Sequence, residues 1–278
     1  SLLMLFLVLP LSAEESVPER VPVKSVSDTR DYAYLELDNG LKALLISDDP
    51  FRDFNKLTDK FKPFVSSTAS ISVSASIGKN SVIQPNCFIG HNVTIGNNCI
   101  IHANVTIYDD AVIGDNVTIH SGTVLGANAF YYKKRPEGYD RLKSCGRVVI
   151  KDNVDIGASC TIDRGVTADT RIGEGSKLDN QIQIGHDTVL GKQCLIASQT
   201  GIAGCVIVED NVTIWGQVGV KSGITIAKGT ELYAQSGLGH STDENKTYFG
   251  SPASAAAAAP ASAAAPAPAA PSVPAAAP

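Results

Sequence analysis

The chain has 278 residues and a formal net charge of −5, and aromatic residues make up only 6% of it. A net negative charge argues against a general nucleic-acid binder, because such proteins carry basic surfaces. So few aromatic rings are unusual for an ordinary globular core, but they suit a repetitive fold whose coils share a ladder of aliphatic side chains.

The first thirteen residues form an apolar segment that resembles a secretory signal. Residues 2–11 are mostly apolar, and Leu11, Ser12 and Ala13 precede two glutamates, as at a cleavage point. The segment is too short to span a bilayer as a helix. Two interpretations fit, an export signal or a fragmentary or misjoined start. We expect a cytoplasmic protein unless the segment is a genuine signal.

Residues 14–65 predict a linker, a β-hairpin and a short helix. Residues 16–27 combine proline, valine and charge, which is typical of a linker. Residues 30–47 alternate apolar and polar side chains around Asp38-Asn39-Gly40, a sequence that favours a hairpin turn. Residues 51–61 carry phenylalanine and leucine at helical spacing, and a proline follows at position 63.

From residue 71 to residue 232 an aliphatic side chain returns at every sixth position, apart from two interruptions. No amphipathic helix and no ordinary strand has this period, which is typical of a parallel β-helix built from hexapeptide repeats. Three hexads form a triangular coil of about 18 residues, so the pattern predicts about eight coils within a domain at 66–252. The aliphatic positions are Ile71, Ile77, Ile83, Ile89, Ile95, Ile101, Ile107, Ile113, Ile119, Leu125, Ile150, Ile156, Ile162, Ile172, Leu178, Ile184, Leu190, Ile196, Ile202, Val208, Ile214, Val220, Ile226 and Leu232.

Two further positions of the hexad fit such a prism. The third residue after many of the aliphatics is Asn or Asp, which tolerate the left-handed backbone of a sharp corner. The fourth is small or β-branched and predicts an inward-facing slot, occupied by Cys87, Cys99, Cys160 and Cys194. We interpret these cysteines as reduced core residues. Disulfides or a metal site are the alternative, although no CxxC spacing is present.

The two interruptions lie at residues 127–147 and 163–169. Insertions in a solenoid form loops on a regular wall, and function is often found there. The first interruption is rich in aromatic and basic residues. We interpret it as a flap that meets a phosphorylated or acidic partner; a solvated loop whose rings cover the wall is the alternative.

At the C-terminal end, residues 253–278 are almost entirely alanine, proline and serine, and we expect this tail to be disordered.

The five histidines are the candidates for acid–base chemistry. His102 and His120 are 18 residues apart and should stack on successive coils as a feature of the wall. His240 lies in a polar loop and carries no signal. His91 and His186 share the pattern Ile-Gly-His, and both should project outward beside a corner. The period alone does not choose between them.

Longer motifs distinguish His186. Over about residues 71–252 the sequence resembles the UDP-3-O-acylglucosamine N-acyltransferases of lipid A biosynthesis. The motifs that carry this resemblance are Ile-Asp-Arg-Gly at 162–165, Asp-Asn-Gln-Ile-Gln-Ile-Gly-His at 179–186, Trp-Gly-Gln-Val-Gly at 215–219 and Tyr-Phe-Gly-Ser-Pro at 248–252. Residues 28–48 resemble the start of an insulinase-type metalloprotease. That family's zinc motif, His-x-x-Glu-His, is missing from this sequence, so no protease activity is expected.

The family resemblance implies an all-β, left-handed β-helix that assembles as a homotrimer with active grooves between neighbouring prisms. It implies transfer of a 3-hydroxyacyl group from acyl carrier protein to the 2-amino group of a UDP-3-O-acyl-glucosamine. His186 matches the general base, and Gly204 matches the backbone N–H donor to the oxyanion. Asp179 and Asn180 match residues that face the sugar. The resemblance implies no metal or cofactor, no nucleic acid and membrane contact only through the lipid product.

The chain departs from the family pattern in three places. The segment before the prism is shorter than the family's uridine-binding domain, Ser222 and Gly223 stand where the family has a second histidine, and the alanine/proline tail replaces C-terminal helices. We therefore expect nucleotide and carrier-protein binding to be affected.

Two alternatives to the family reaction stay open. They are a coenzyme A-dependent acyl- or acetyltransferase acting on another amino-sugar nucleotide, and a catalytically inactive β-helix scaffold. A zinc carbonic anhydrase of the same fold is disfavoured, because it needs two histidines five residues apart and no pair here has that spacing.

Overall fold

The computed structural model describes residues 49–63 and 70–255 in full and the strands at 32–36 and 42–46 by their backbone. The main body is a left-handed parallel β-helix with three flat faces, as the six-residue period and the resemblance predict. The apolar segment at 1–13, the linker at 16–27 and residues 256–278 lie outside the described residues. The predictions for these segments, and the division of the chain into domains, stay predictions.

A hairpin and a helix precede the prism. Strands β1 (Tyr32–Glu36) and β2 (Lys42–Ile46) pair in antiparallel fashion. Helix α1 (Pro50–Phe61) begins with a proline at its first position, and the Asp49 side chain accepts a hydrogen bond from the Arg52 amide as its N-cap. These elements occur where the sequence predicts them. No helix of the described residues is long and apolar enough to cross a membrane.

Helix α1 packs against the loops that interrupt the prism. Phe54 is buried in a small cluster with three loop residues, Ala129, Cys145 and Val166. Ala129 and Cys145 belong to the first interruption and Val166 to the second, so one aromatic ring joins both loops. The helix therefore supports the loops from outside the prism.

The strands before the first interruption are short and regular. Most contain two residues, of which the first faces outward and the second is buried. They are β3 (Ser76–Ile77), β4 (Val82–Ile83), β5 (Phe88–Ile89), β6 (Thr94–Ile95), β7 (Ile100–Ile101), β8 (Thr106–Ile107), β9 (Val112–Ile113), β10 (Thr118–Ile119) and β11 (Val124–Ala127). The first interruption then forms an antiparallel hairpin of β12 (Tyr132–Arg135) and β13 (Gly138–Arg141).

The coils resume after the hairpin and continue to the end of the described residues. Their strands are β14 (Arg147–Ile150), β15 (Asp155–Ile156), β16 (Thr161–Asp163), β17 (Asp169–Ile172), β18 (Lys177–Leu178), β19 (Gln183–Ile184), β20 (Val189–Leu190), β21 (Leu195–Ile196), β22 (Gly201–Ile202), β23 (Ile207–Val208), β24 (Thr213–Ile214), β25 (Gly219–Val220), β26 (Thr225–Ile226), β27 (Glu231–Leu232), β28 (Gly237–Leu238), β29 (Thr247–Gly250) and β30 (Ala253–Ala255).

The strands stack into three sheets, one on each face. Two faces hold eight strands each, and the third, which we call the ten-stranded face, runs from β4 to β30. In regular coils each residue pairs with the residue 18 positions later, as Val82 does with Ile100. The separation grows to 37 across the first interruption and 22 across the second, as between Thr118 and Asp155 and between Asp155 and Lys177. The eight strands of two faces agree with the predicted number of about eight coils, and the ten-stranded face adds β29 and β30 at its end.

The core is a ladder of aliphatic side chains. Ile101, Ile119 and Ile156 stack on the ten-stranded face and are fully buried, and the rest of the ladder behaves in the same way from Ile89 onward. The small slot beside the ladder is also as predicted, since Cys87, Cys99, Cys160 and Cys194 are buried free thiols. Burial on this scale stabilises each coil by about 1.5–3 kcal/mol per aliphatic side chain relative to leaving it exposed.

The corners adopt the left-handed backbone that the sequence predicts. Positive φ angles occur at the predicted Asn and Asp positions, which are Asn80, Asn86, Asn92, Asn98, Asn104, Asp110, Asn116, Asn153, Asp187 and Asn211. The same conformation is also adopted by residues that the sequence does not mark as corner formers, namely Ser159, Gln181, Gln193, Gln199, Cys205, Gln217 and Gln235. Four of these glutamines, 18 residues apart, donate side-chain hydrogen bonds to one another along the corner, so stacked side chains help to hold this backbone.

The C-terminal boundary of the prism differs from the prediction. Residues 253–255 form β30, which pairs antiparallel with β29, so the expectation of disorder from residue 253 is wrong for these three residues. Ala253 is buried, because its small methyl group fits over the last coil, and its carbonyl oxygen lies 3.0 Å from Nε2 of His240. A reversed strand therefore closes the ten-stranded face.

The corner geometry generates a stability prediction at Asn116, whose φ is 57°. Replacing Asn116 by alanine should lower the free energy of unfolding by about 1–2 kcal/mol, because a Cβ without a polar group strains a left-handed residue. Asn116→Gly should lose less, because glycine adopts this backbone freely. Urea titrations of both variants check this. Equal losses would instead assign the effect to the Asn116 side-chain contacts with Asn98 and Asn153.

Candidate functional site

A groove lies between the first interruption and one corner of the prism. Its volume is about 840 Å³. One wall comes from residues 127–147, hereafter the flap, and includes Tyr131 and Arg141. The other wall comes from three successive coils, which contribute His186, Gly204 and Ser222 at intervals of 18 residues. The stacking register of the prism is what brings these three residues into one row.

The row depends on a close approach of two coils at Gly185. A Cβ on Gly185 would lie 2.4 Å from the Gly204 amide nitrogen, so only glycine lets the coils stack here. Gly185 therefore fixes the height of His186 relative to Gly204. The pattern Ile-Gly-His has a structural reason, since its glycine places the histidine against the next coil.

His186 is more enclosed than the sequence suggests. Its side chain is only 13% exposed, and its ring packs edge-on against Tyr131 with the ring centroids 5.7 Å apart. The side chain lies outside the buried core and lines the groove, as an outward-projecting residue should, but the expectation that the corner is exposed is wrong. The flap, whose path the repeat does not specify, folds back over the corner and covers it.

Asp187 holds the imidazole of His186. Nδ1 of His186 lies 2.7 Å from Oδ2 of Asp187. Two amides of the second interruption, Val166 and Ala168, donate to the Asp187 carboxylate at 3.0 Å each. The Asp187 amide in turn donates to Oγ1 of Thr170 at 2.9 Å. The carboxylate is thus fixed before any substrate arrives, and Nε2 is left as the ring nitrogen free of Asp187.

In the sequence Asp187 is recognisable only as a corner residue, and its orienting contact with His186 is not predicted. A usable signal is present, because Asp187 directly follows the histidine. The other half of the arrangement comes from Val166 and Ala168, which lie 21 and 19 residues earlier. Their position depends on how the second interruption folds, which the hexad pattern does not describe.

The charges around His186 shift its ionisation. The hydrogen bond to Asp187, and next the contact with Cys205, raise the pKa of His186 to about 9 against the opposing effect of burial. Burial acts to raise the pKa of Asp187, but the hydrogen bonds from His186, Val166 and Ala168 outweigh it and the net shift is downward. The free chain therefore holds an imidazolium–carboxylate pair at neutral pH.

Asp163 is a further titratable group in the groove that the sequence analysis does not single out. Burial raises its pKa to about 6, although the positive charge of His186 and the hydrogen bond from Gln183 act to lower it. Nε2 of Gln183 donates to Oδ2 of Asp163 at 3.1 Å. Asp163 thus provides a second carboxylate at the groove wall, close enough to His186 for their charges to interact.

Gly204 has a backbone amide without a hydrogen-bond partner among the described residues, and it lies beside His186. The residue is buried. A Cβ at this position would lie 2.5 Å from Nε2 of His186. The predicted base and the predicted donor are therefore direct neighbours.

Asp179 and Asn180 are not brought to the same groove. They follow β18 on the ten-stranded face, one corner earlier than His186, and neither lines the groove. Both are exposed, and Oδ1 of Asn180 accepts a hydrogen bond from the Ala158 amide at 2.7 Å. Within one chain, the predicted sugar-facing residues and the predicted base therefore lie at different corners of the prism.

The flap is anchored by ion pairs with the region of α1. Arg135 lies 2.8 Å from the Asp49 carboxylate and 3.1 Å from Asp140. Arg52 of the helix lies 2.7 Å from Asp140 and also from Glu137. Part of the basic patch noted in the sequence is therefore used internally. Each exposed pair adds little stability, but the network fixes the flap hairpin against the helix.

Several other side chains of the flap are exposed to solvent. Phe130 is 85% exposed and Tyr139 is 71% exposed, and Lys134 is also exposed. Phe130, Tyr131 and Arg141 line the groove, and the Tyr131 ring contacts His186. Both interpretations of this interruption thus describe part of it, since one ring covers the wall while others present an apolar and basic surface.

The other histidines differ from His186 in their surroundings. Nδ1 of His91 lies 2.9 Å from Oγ of Ser72, and its Nε2 is buried without a hydrogen-bond partner. His102 and His120 stack with centroids 4.6 Å apart, as their spacing predicts. None of these three lines the groove. The shared pattern Ile-Gly-His therefore places His186 in the groove and leaves His91 outside it.

Comparison with known proteins agrees with the family resemblance seen in the motifs. The bacterial transferase hexapeptide family (six repeats) matches residues 74–109 and 100–127. A UDP-3-O-acylglucosamine N-acyltransferase of Methylobacterium nodulans is 42% identical over 116 residues, which are 42% of this chain and 33% of the relative. The corresponding protein of Rhizobium meliloti is 44% identical over 125 residues, or 45% and 35% of the two chains. The matched segment thus spans about a third of these relatives.

Solved structures with the same fold include two UDP-N-acetylglucosamine acyltransferases. The protein of Francisella novicida has a TM-score of 0.62 and 27% identity, covering 69% of this chain and 70% of its own. The protein of Bacteroides fragilis has a TM-score of 0.61 and 26% identity, covering 69% and 74%. These similarities support the resemblance seen in the motifs: the matched segments are similar to UDP-3-O-acylglucosamine N-acyltransferases and to hexapeptide-repeat transferases, and the left-handed β-helix is similar to that of UDP-N-acetylglucosamine acyltransferases.

Proposed function

We propose that this chain is an N-acyltransferase of lipid A biosynthesis. It moves a 3-hydroxyacyl group from acyl carrier protein to the 2-amino group of a UDP-3-O-acyl-glucosamine. The observation that carries the proposal is the row in the groove, where an Asp187-oriented His186 lies directly against the unbonded amide of Gly204. The names of the relatives, which match over 116 and 125 residues, support the acceptor.

His186 acts as the general base. Because Nδ1 faces Asp187, the nitrogen available to the substrate is Nε2. The acceptor amine forms a bond to the thioester carbonyl carbon, and Nε2 takes the proton that the nitrogen loses. Asp187 keeps the ring in this orientation and stabilises the imidazolium that results, as the third member of a triad does.

Gly204 stabilises the charge that develops on the carbonyl oxygen. A backbone N–H beside the base is a fixed donor that needs no reorganisation during the reaction. When the tetrahedral intermediate collapses, the carbon–sulfur bond breaks and the imidazolium returns its proton to the departing thiol. The amide product and the carrier thiol leave, and no metal is required for this sequence.

The active assembly is a homotrimer. The ten-stranded face exposes a series of large apolar residues, which is unusual for a free surface and suits symmetric packing. They are Val82, Ile100, Leu195, Trp215, Tyr233 and Phe249. Asp179 and Asn180 lie at the edge of the same face, so in a trimer they reach the groove of the neighbouring chain. Each site would then take His186 from one subunit and Asn180 from the next.

The exposed part of the flap is the surface for the donor. Phe130, Tyr139 and Lys134 offer apolar and basic contacts beside the mouth of the groove, which suits an acidic carrier that bears a phosphorylated arm. The protein works in the cytoplasm, where this donor is found. Six free cysteines are consistent with a reducing compartment.

Removal of the base is the first test. His186→Ala should lower the rate of hydroxyacyl transfer to the amino-sugar nucleotide by about 10²–10⁴-fold. His91→Ala is the matched control, because it has the same Ile-Gly-His setting but does not line the groove. The rate is measured by mass spectrometry of the acylated nucleotide.

The donor is varied in the same assay. Transfer from the acyl carrier protein thioester, with little from acyl-coenzyme A, supports the proposal, and the reverse preference supports the coenzyme A-dependent alternative. Equal rates in the two histidine variants would contradict the role of His186. An inactive parent protein with an intact trimer would favour the scaffold interpretation.

The raised pKa of His186 gives a pH prediction. Only the neutral imidazole accepts a proton, and a pKa of about 9 keeps most of the free protein protonated at neutral pH. The value of kcat/KM should therefore rise about tenfold per pH unit below pH 9 and level off above it. Asp187→Asn removes the main cause of the shift, so the rising limb should move to lower pH. An unmoved limb in that variant would assign the titration to another group.

Gly204 is tested by crowding rather than by removing a charge. The Cβ of Gly204→Ala would lie 2.5 Å from Nε2 of His186, so the ring must move by about 1 Å, and misplacement of this size lowers rates by about 10²-fold. Gly201→Ala is the control, because a Cβ there meets nothing within 4 Å. Comparable rates in both variants, with unchanged circular dichroism, would show that Gly204 is not part of the catalytic site.

Mixed trimers test whether sites are shared between subunits. His186→Ala and Asn180→Ala chains should each be nearly inactive alone. After mixed refolding or co-expression, about a quarter of the sites combine an intact His186 with a neighbour's intact Asn180, if the chains assort at random. Recovery of activity near that fraction supports the shared site. No recovery in verified mixed trimers would mean that His186 and Asn180 of the same chain act together in one site.

A further inference from the structure

The corner beside His186 carries a thiol that the proposed reaction does not use. Cys205 is exposed, whereas the other five cysteines of the chain are buried. It stands at the corner position one coil after Asp187, with φ of 60° against 55° for Asp187. Its amide donates to the carbonyl oxygen of His186 at 2.8 Å. The register of the coils therefore places its side chain over the His186–Asp187 pair.

Three different ligand atoms converge at this corner. Sγ of Cys205 lies 3.9 Å from Nδ1 of His186, which lies 2.7 Å from Oδ2 of Asp187. All three atoms are within 4.8 Å of one another. Imidazole nitrogen, carboxylate oxygen and thiolate sulfur together form the donor set of a borderline-soft divalent ion such as Zn²⁺.

The distances are close to those of a tetrahedral zinc site. With zinc bonds of about 2.3 Å to sulfur and about 2.0 Å to nitrogen or oxygen, a sulfur–nitrogen edge is about 3.6 Å and a nitrogen–oxygen edge about 3.3 Å. The Sγ–Nδ1 distance is already close to the first value. The Nδ1–Oδ2 distance must open by about 0.6 Å, as expected if an ion replaces the proton between the two atoms.

The surrounding structure already supports such an ion. The amides of Val166 and Ala168 hold the Asp187 carboxylate, and a carboxylate has about four acceptor positions, so capacity remains for a metal. Outer hydrogen bonds of this kind orient metal ligands and strengthen binding. The exposed side of Cys205 leaves the fourth coordination position open to solvent.

We propose that His186, Asp187 and Cys205 form a binding site for Zn²⁺ or a similar transition-metal ion, which replaces the proton shared by Nδ1 and Asp187. Binding converts the Cys205 thiol to a thiolate and releases protons to solvent. The consequence for catalysis rests on the proposed function: the bound ion fixes the imidazole and draws electron density from it, so that zinc inhibits acyl transfer. The site itself does not depend on that reaction.

Titration with Co²⁺ tests the site without an activity measurement. The apoprotein should develop the near-ultraviolet thiolate-to-cobalt absorption band, and Zn²⁺ should displace it. Cys205→Ser should abolish the band, and Asp187→Asn should weaken binding by about tenfold or more. His91→Ala is the control and should bind as the parent does. A band that persists in Cys205→Ser, or no band in the parent protein, would overturn the proposal.

Alkylation and kinetics complete the test. Zn²⁺ should slow iodoacetamide labelling of Cys205 in the parent, as followed by mass spectrometry, and labelling unaffected by Zn²⁺ would contradict the site. Zinc sensitivity of acyl transfer is then expressed relative to the uninhibited rate of each variant and should fall in Cys205→Ser. If the parent transfers no acyl group, the proposed function fails while the cobalt and alkylation results still decide the metal site.

Discussion

The structure depends on one constraint, the parallel stacking of coils that places each residue against the residue 18 positions later. Backbone hydrogen bonds between coils and the aliphatic ladder both require this register, and a shift of one residue would turn every inward side chain outward. The same register forms the candidate site. His186, Gly204 and Ser222 form a row because they occupy equivalent places on successive coils. A regular wall thus orders functional groups that are distant in sequence.

The two interruptions convert this regular wall into a groove. The second supplies the Val166 and Ala168 amides that fix Asp187, and the first supplies the Tyr131 ring that covers His186. Phe54 of α1 packs against both loops and holds them together. His91, which has the same local sequence, lacks these additions, and within the described residues its imidazole has only Ser72 as a hydrogen-bond partner. The difference between a wall histidine and a candidate base is therefore made by loops outside the repeat.

The features of the fold that recur in every hexad are predictable from the sequence. The period of six specifies the coils, the buried ladder and the small inward slot, and corner residues such as Asn116 reveal the left-handed turns. The glutamines at later corners, for example Gln199, escape prediction because glutamine does not favour a left-handed backbone by itself, and the hydrogen bonds that hold it there form only between stacked coils. The site is predicted only in part. Its members His186 and Gly204 are found through motif and spacing, whereas the burial of His186 and the contacts of Asp187 arise from loop packing, which has no periodic signal.

The two ends of the prism are unequal, which affects how the protein opens. Ile71 and Ile77 of the first coil are 41% and 39% exposed, whereas Tyr248 and Ala253 at the other end are nearly buried under the reversed strand. In a solenoid, the stability of each coil depends mainly on its immediate neighbours. Thermal fluctuations should therefore unzip the coils from the N-terminal side, one layer at a time. The groove lies in coils with partners above and below, so its geometry can persist while the first layers fray.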